Sequence, residues 1–343
     1  MLCVVVLASS CQSEVVGALN NAAFRIAALV CSLNVLACSE TLDAGGTHPH
    51  GQLPIDGRNP IILTNDGAYD NWQGEYAVLF ASAGGPPLAG IIVNADGPWP
   101  SIEKNVNDWH ALVSAAHDSG FAEVPEPITS VAGPLTRPAS GAIDDTLPNR
   151  SEGALFILDA AARLSLPYRP LVIVTGSRLT DVADAYLVDP SVVDRVVVVS
   201  SLGTFVSPNG TMGPPNGEMD PWADTIVTNR FRYVQVSSYY DQLTDVPSSR
   251  LSELPANALG AWIAAKQPTI YDLPEASDQV AVAAVALPTF AVTVESVSPD
   301  ANVGPGATAG PNLNPDPNGH VLLVTKAASA LASARFWEAL LAH

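Results

Sequence analysis

Lysine is scarce: only Lys104, Lys266 and Lys326 occur in 343 residues, and 15 basic side chains face 34 acidic ones. A formal net charge of −19 repels a phosphate backbone, and three lysines cannot assemble a basic patch, which argues against nucleic-acid binding. Cysteine is absent after Cys38; all four, Cys3, Cys11, Cys31 and Cys38, crowd the amino end. A disulfide framework or thiolate metal site in the rest of the chain is thereby excluded. Beyond that amino-terminal segment no apolar run approaches the ~20 residues needed to span a bilayer. Gly-x-Gly-x-x-Gly, P-loop and Gly-x-Ser-x-Gly motifs are missing too, so dinucleotide, ATP and serine-hydrolase readings lack support.

What is present suits a packed globular core, with 48% hydrophobic and 14% charged residues. Arg25 precedes the short apolar stretch Ile26–Ala37, and Cys38 follows. A positive charge, an apolar segment and a small residue before a cleavage point make a secretory signal. Val35-Leu36-Ala37-Cys38 also resembles a bacterial lipobox, in which the cysteine carries the lipid. Residues 1–38 are thus read as an export segment and 39–58, rich in Gly, Pro and His, as a flexible tether. Residues 59–343 follow as a single domain. The expected location is the periplasm or outer membrane of a bacterium, or the medium, with any membrane contact made through Cys38.

Within the domain, apolar strand-like runs alternate with helix-like segments. Strands are expected in the apolar run that opens with Ile61-Ile62-Leu63 and ends in a polar turn, and at Leu88–Val93, Leu171–Val174, Arg195–Ser200 and Tyr233–Val236. Helices are expected at Trp72–Ser82, Ile102–Ser119, Ala154–Leu164, Leu179–Val188, Asp220–Asn229, Leu251–Lys266, Gln279–Ala286 and Ala328–Leu341. The Pro-rich run Val124–Pro138 leads into a polar loop ending near Glu152, and Ala291–Val297 can pair with Val321–Thr325 across a Gly/Pro/Asn loop. Alternating buried strands and helices imply an α/β fold: a mostly parallel central sheet, open and Rossmann-like, with helices on both faces.

The most informative stretch is Thr64-Asn65-Asp66-Gly67-Ala68-Tyr69-Asp70-Asn71, a polar turn at the carboxyl end of the first strand. Ligand sites of α/β sheets lie at such ends, and closely spaced oxygen side chains suit a cation or a polyhydroxylated ligand. A solvated turn with a helix cap is the plainer reading of that stretch alone.

Further segments change the balance. The stretch resembles the Asp-x-Asp-x-Gly-x-Asp-Asp motif of the inosine/uridine-preferring nucleoside hydrolases, with Asp66 and Asp70 at the second and third aspartates. Thr175-Gly176-Ser177-Arg178-Leu179-Thr180-Asp181 is similar to that family's central Thr-Gly-x-Leu-Thr-Asn run. Asn216-Gly217-Glu218-Met219-Asp220-Pro221-Trp222-Ala223 is similar to its Asn-x-x-x-Asp-Pro-x-Ala segment, and Ser277-Asp278 stands where His-Asp opens a helix. The order of these pieces spans about residues 59–343.

The resemblance implies hydrolysis of a nucleoside N-glycosidic bond, with calcium as cofactor, a small-molecule nucleoside as partner, and the homo-oligomeric assembly of relatives. It implies Asp66, Asn71, Thr175 and Asp278 as metal ligands, Asp66 also as general base, and Asp70, Asn209, Asn216 and Asp278 as holders of sugar hydroxyls. Asn94 and Asp96 fall where the family places a site asparagine. Two departures stand out. Asn71 offers one neutral oxygen where the family has a charged aspartate, and Ser277 replaces a histidine able to protonate a leaving base. They keep open a protein that binds a nucleoside or sugar without cleaving it, and hydrolysis of another glycosidic bond in the same pocket. Trp72, Trp99 and Trp222 are candidates for stacking on a base, each with a core or rim role as the alternative.

Overall fold

Runs of β-branched and aliphatic residues build the sheet, because their branched side chains pack well on a pleated surface. The computed structural model describes residues 53–68, 72–94, 101–201, 215–236, 246–266, 278–300 and 303–343. Its strands are β1 (Ile61–Asn65), β2 (Leu88–Asn94), β3 (Ile128–Ser130), β4 (Leu171–Gly176), β5 (Val196–Ser201) and β6 (Arg232–Val236). β7 (Ala291–Pro299), β8 (Leu313–Pro315) and β9 (Val321–Ala327) complete the set. The helices are α1 (Gln73–Ser82), α2 (Ile102–Asp118), α3 (Glu152–Leu164), α4 (Thr180–Val188) and α5 (Pro215–Met219). α6 (Pro221–Arg230), α7 (Ala258–Lys266), α8 (Gln279–Ala286) and α9 (Ser329–Leu341) follow. No helix among the described residues is long and apolar enough to cross a membrane.

The nine strands lie in the order β3-β2-β1-β4-β5-β6-β9-β7-β8. Pairing is parallel from β3 through to β9, whereas β7 runs antiparallel to both β9 and β8. This is the expected mostly parallel α/β sheet. From β1 the chain builds outward through β2 and β3, then returns to lay β4 on the other side of β1. The order therefore reverses between β1 and β4, and the carboxyl ends of strands at such a reversal are where open α/β sheets place their ligands.

Alternation along the central strands divides the core in two. Ile61, Leu63, Val172, Val174, Val197 and Val199 pack with apolar residues of α1, α2, α7, α8 and α9. Their neighbours Ile62, Ile173, Val196 and Val198 pack with α3, α4 and α6 on the opposite face. A period of two on strands covered on both faces yields unbroken apolar runs such as Val196–Val199. Leu53 and Ile55, near the end of the stretch read as tether, pack against the first of these clusters.

One expectation needs correction, and two short strands go beyond the expected set. Leu251–Lys266 is not one helix: a 3₁₀ turn at Ser248–Glu253 and α7 are separated around Pro255, whose missing N–H and ring prevent a continuous helix. The Pro-rich run holds a short strand, β3, paired with β2 from Ile92↔Ile128 to Asn94↔Ser130. The loop between the last two predicted strands holds β8, whose antiparallel partner is β7.

Candidate active site

The first parallel strands end in polar residues that no solvent reaches. Thr64 and Asn65 close β1, Thr175 closes the apolar run of β4, and Ser200 and Ser201 close β5; all five are fully buried. Register sets Thr64 beside Thr175, Asn65 beside Gly176, and Thr175 beside Ser200. The Thr175 hydroxyl donates to Ser200 Oγ at 2.9 Å, and Ser177 Oγ lies 3.5 Å from Thr64 Oγ1. Buried hydroxyls and amides persist in a core only when hydrogen-bonded, so this layer is a built polar floor.

Asp66 follows directly on β1 and is 4% exposed. Its Oδ1 accepts the Gly67 N–H at 3.0 Å, which fixes the carboxylate against the start of the turn. Two residues on, the Ala68 carbonyl accepts a hydrogen bond from the Lys266 ammonium, which joins the turn to the end of α7.

Asp278 reaches the same strand ends from across the sequence. It occupies the N-cap position of α8, yet its side chain makes no capping bond to that helix. Its Oδ1 instead accepts from Ser201 Oγ at 2.8 Å and its Oδ2 from Asn65 Nδ2 at 3.4 Å. Gly176 lies directly against it: a Cβ at that position would fall on the Asp278 Cβ and Cγ. Glycine at the end of β4 is what lets the carboxylate sit over the β1–β4 junction.

Asn65 organises this junction. Its Nδ2 donates to Gln73 Oε1 at 2.9 Å and stands 3.5 Å from the Gly176 carbonyl, while its Oδ1 accepts from Trp109 Nε1 at 3.2 Å. Gln73, the first residue of α1, returns a bond from Nε2 to the Asp278 carbonyl at 3.4 Å. One amide thus ties β1, α1, α2 and the start of α8 together around two carboxylates.

Of the residues expected in the site, Asp66 and Thr175 stand at the carboxyl ends of the adjacent strands β1 and β4, where the strand order reverses, and Asp278 is bonded to Asn65 and Ser201 at the ends of β1 and β5. Asn216 is buried in α5, with no hydrogen bond to that group among the described residues. Asp70, Asn71, Asn209, Ser277, Asp96 and Trp99 lie outside the described residues. So do the cysteines and the export segment. Trp72 and Trp222 are core residues: each is nearly fully buried, with the Lys266 ammonium 4.7 Å from the Trp72 ring and the Trp222 Nε1 bonded to Thr146 at 3.0 Å. Neither offers a free face to a base.

Sequence reading passes over Asn65, Gln73, Ser201 and Trp109, which position the carboxylates. A signal for the first and third exists, namely polar residues that end an otherwise apolar strand. Gln73 and Trp109 carry none, because their partners are remote in sequence. Asp220, within the Asn216–Ala223 segment, caps α6 by accepting the Ala223 N–H at 3.0 Å, and also accepts from Thr180 Oγ1 and the Leu135 N–H. Burial pushes its carboxyl above the ordinary carboxylate range, although those bonds and the Arg178 charge act the other way.

No protein-family model matches the chain, nor does any curated protein. Among solved structures, an inosine-uridine preferring nucleoside hydrolase from Bacillus anthracis superposes with a TM-score of 0.58 at 13% identity, over 83% of this chain and 100% of that one. A plant nucleoside hydrolase gives 0.56 at 15% identity, over 83% and 99%. A purine-preferring ribonucleoside hydrolase from Gardnerella vaginalis gives 0.55 at 17%, over 82% and 98%. At such identities the likeness establishes the fold.

Proposed function

We propose that this chain is a divergent nucleoside hydrolase that cleaves the N-glycosidic bond of a ribonucleoside with water. The observation that carries this reading is the pair of buried carboxylates, Asp66 and Asp278, at the β1–β4 junction, with Gly176 making room for the second. The Asp278 side chain makes no capping bond to its helix, and the fold agrees with the order of motifs.

The donor set is all oxygen: the two carboxylates and the Thr175 peptide carbonyl, with Asn71 adding an amide oxygen. Hard cations take such ligands, so calcium fits. When bound, the ion would polarise water and hold the hydroxyls of the sugar. Asp66 takes a proton from the attacking water. The water oxygen bonds to C1′, the C1′–N bond breaks, and its electron pair leaves with the base, which gains a proton. Asp278, held by Ser201 and Asn65, accepts a hydrogen bond from a ribose hydroxyl, as do Asp70, Asn209 and Asn216. The positive charge that develops on the sugar is stabilised by this carboxylate-rich, solvent-poor surface. Export with lipid attachment at Cys38 belongs to the same proposal, as does a homo-oligomeric state.

The test is release of ribose from purine and pyrimidine ribonucleosides by the full chain, with and without added calcium, beside Asp66→Ala. Calcium-dependent release that disappears in the variant is the expected result. A folded protein that releases no ribose at any calcium concentration refutes the hydrolase. If it still binds nucleosides, the second reading holds: a binding protein on the same fold, favoured by Asn71 and Ser277.

A further inference from the structure

Behind the site lies a second buried carboxylate network, centred on Asp181 in the first turn of α4. Asp181 is 2% exposed. Its Oδ1 accepts from Ser130 Oγ at 2.6 Å and its Oδ2 from Asn94 Nδ2 at 3.3 Å. Ser130 Oγ in turn accepts the Gly153 N–H at 3.2 Å. Asn94 and Ser130 are the last residues of β2 and β3 and face each other in register. Gly153 keeps α3 clear of the carboxylate, since a Cβ there would lie 2.5 Å from Asp181 Cγ.

The chemistry of this cluster dictates how the Asn94 amide points. A carboxylate only accepts hydrogen bonds, so it must meet the NH₂ group of Asn94 and not its oxygen. The Asn94 carbonyl oxygen is thereby turned away from Asp181. That oxygen is buried and has no hydrogen-bond partner among the described residues. Burying such an acceptor unpaired is costly, a cost that a fold carries where a ligand supplies the donor. Register also locates it: Asn65 pairs with Val93, so Asn94 stands level with Asp66 on the adjacent strand.

We infer that Asp181 is a positioning residue that locks the Asn94 amide with its oxygen toward the ligand, making Asn94 a dedicated acceptor for one sugar hydroxyl beside Asp66. This rests on the nucleoside reading above. Ser130 shares the load by filling the other carboxylate oxygen, which leaves Asp181 no alternative donor to turn to. An asparagine at position 181 would have the same shape but would both donate and accept, and Asn94 would then be free to flip.

The experiment compares the full-length wild type, Asp181→Asn and Asn94→Ala on a ribonucleoside and its 2′-, 3′- and 5′-deoxy analogues. Kd, KM and kcat are measured for each, with circular dichroism and urea midpoints as controls on folding. Asp181→Asn is expected to raise KM and Kd for the ribonucleoside about tenfold, with kcat changed far less, as for lost uniform binding. That penalty vanishes for one of the three analogues, the one lacking the hydroxyl that Asn94 accepts. Asn94→Ala must single out the same analogue, and it answers the question if Asp181→Asn does not fold. A merely structural role would weaken all four ligands equally. Equal losses, or unchanged constants in both folded variants, overturn the inference while leaving the hydrolase reading intact. A folded wild type that neither binds nor cleaves any nucleoside overturns that reading and this inference with it.

Discussion

Removal of the Lys266 ammonium tests how the turn after β1 is held. Lys266 and Glu75 form an ion pair of 2.7 Å with both side chains fully buried. The ammonium also donates to the Ala68 carbonyl and stands 4.7 Å from the Trp72 ring, while Glu75 Oε1 accepts from Trp262 Nε1 at 2.9 Å. Glu75 Oε2 is buried with no hydrogen-bond partner among the described residues. Lys266→Met keeps most of the apolar stem but leaves that carboxylate facing only an indole N–H. Breaking a buried pair by removing one partner costs about 3–5 kcal/mol, a large share of the ~5–15 kcal/mol by which a domain is stable. Replacing both partners removes the stranded charge. The double variant Lys266→Met with Glu75→Leu is therefore expected to recover most of the loss, since apolar pairs commonly match or exceed buried ion pairs. Equilibrium urea unfolding, followed by both circular dichroism and tryptophan fluorescence, measures these differences and checks that the transition is two-state. A single variant within about 1 kcal/mol of wild type would place this pair among ion pairs of the exposed kind. A double variant as unstable as the single one would refute the account based on an unpaired buried charge.

Gly176→Ala drives a methyl group into Asp278, so stability is expected to fall by about 1–3 kcal/mol and nucleoside hydrolysis to fall more steeply than stability. A folded variant with wild-type turnover would remove Asp278 from the site. Asp220 carries the sign of a buried acid. Its folded carboxyl titrates above the unfolded one, so the stability it contributes is present at low pH, where the native chain holds the proton, and is lost as pH rises through the folded value. Asp220→Asn is expected to flatten that part of the decline when urea midpoints are compared between the two proteins from acid to neutral pH. An identical slope would mean that other acids account for it.

Periodicity alone settled much of this protein. Short, β-branched apolar runs such as Val196–Val199 suit strands buried on both faces, and their alternation with helical segments points to a mostly parallel sheet. The polar turn at Asp66 could be assigned to a strand end because the switch from apolar to polar is abrupt and local. Local signals failed where the partner was remote or the rule was overridden: β3 and β8 are too short for a pattern, and apolar spacing hid the break at Pro255. Tertiary structure alone decided which partners hold the Asp278 carboxylate. Asp278 opens a helix in the sequence, yet its side chain turns to Ser201 and Asn65, and Gly176 has no side chain to stand in its way. Asn94 likewise has its amide nitrogen fixed by Asp181, 87 residues away in the chain, which turns its oxygen from that carboxylate. Sequence patterns encode the period of each element, whereas the direction in which a buried polar group points is set by whichever donor or acceptor the packed fold brings against it.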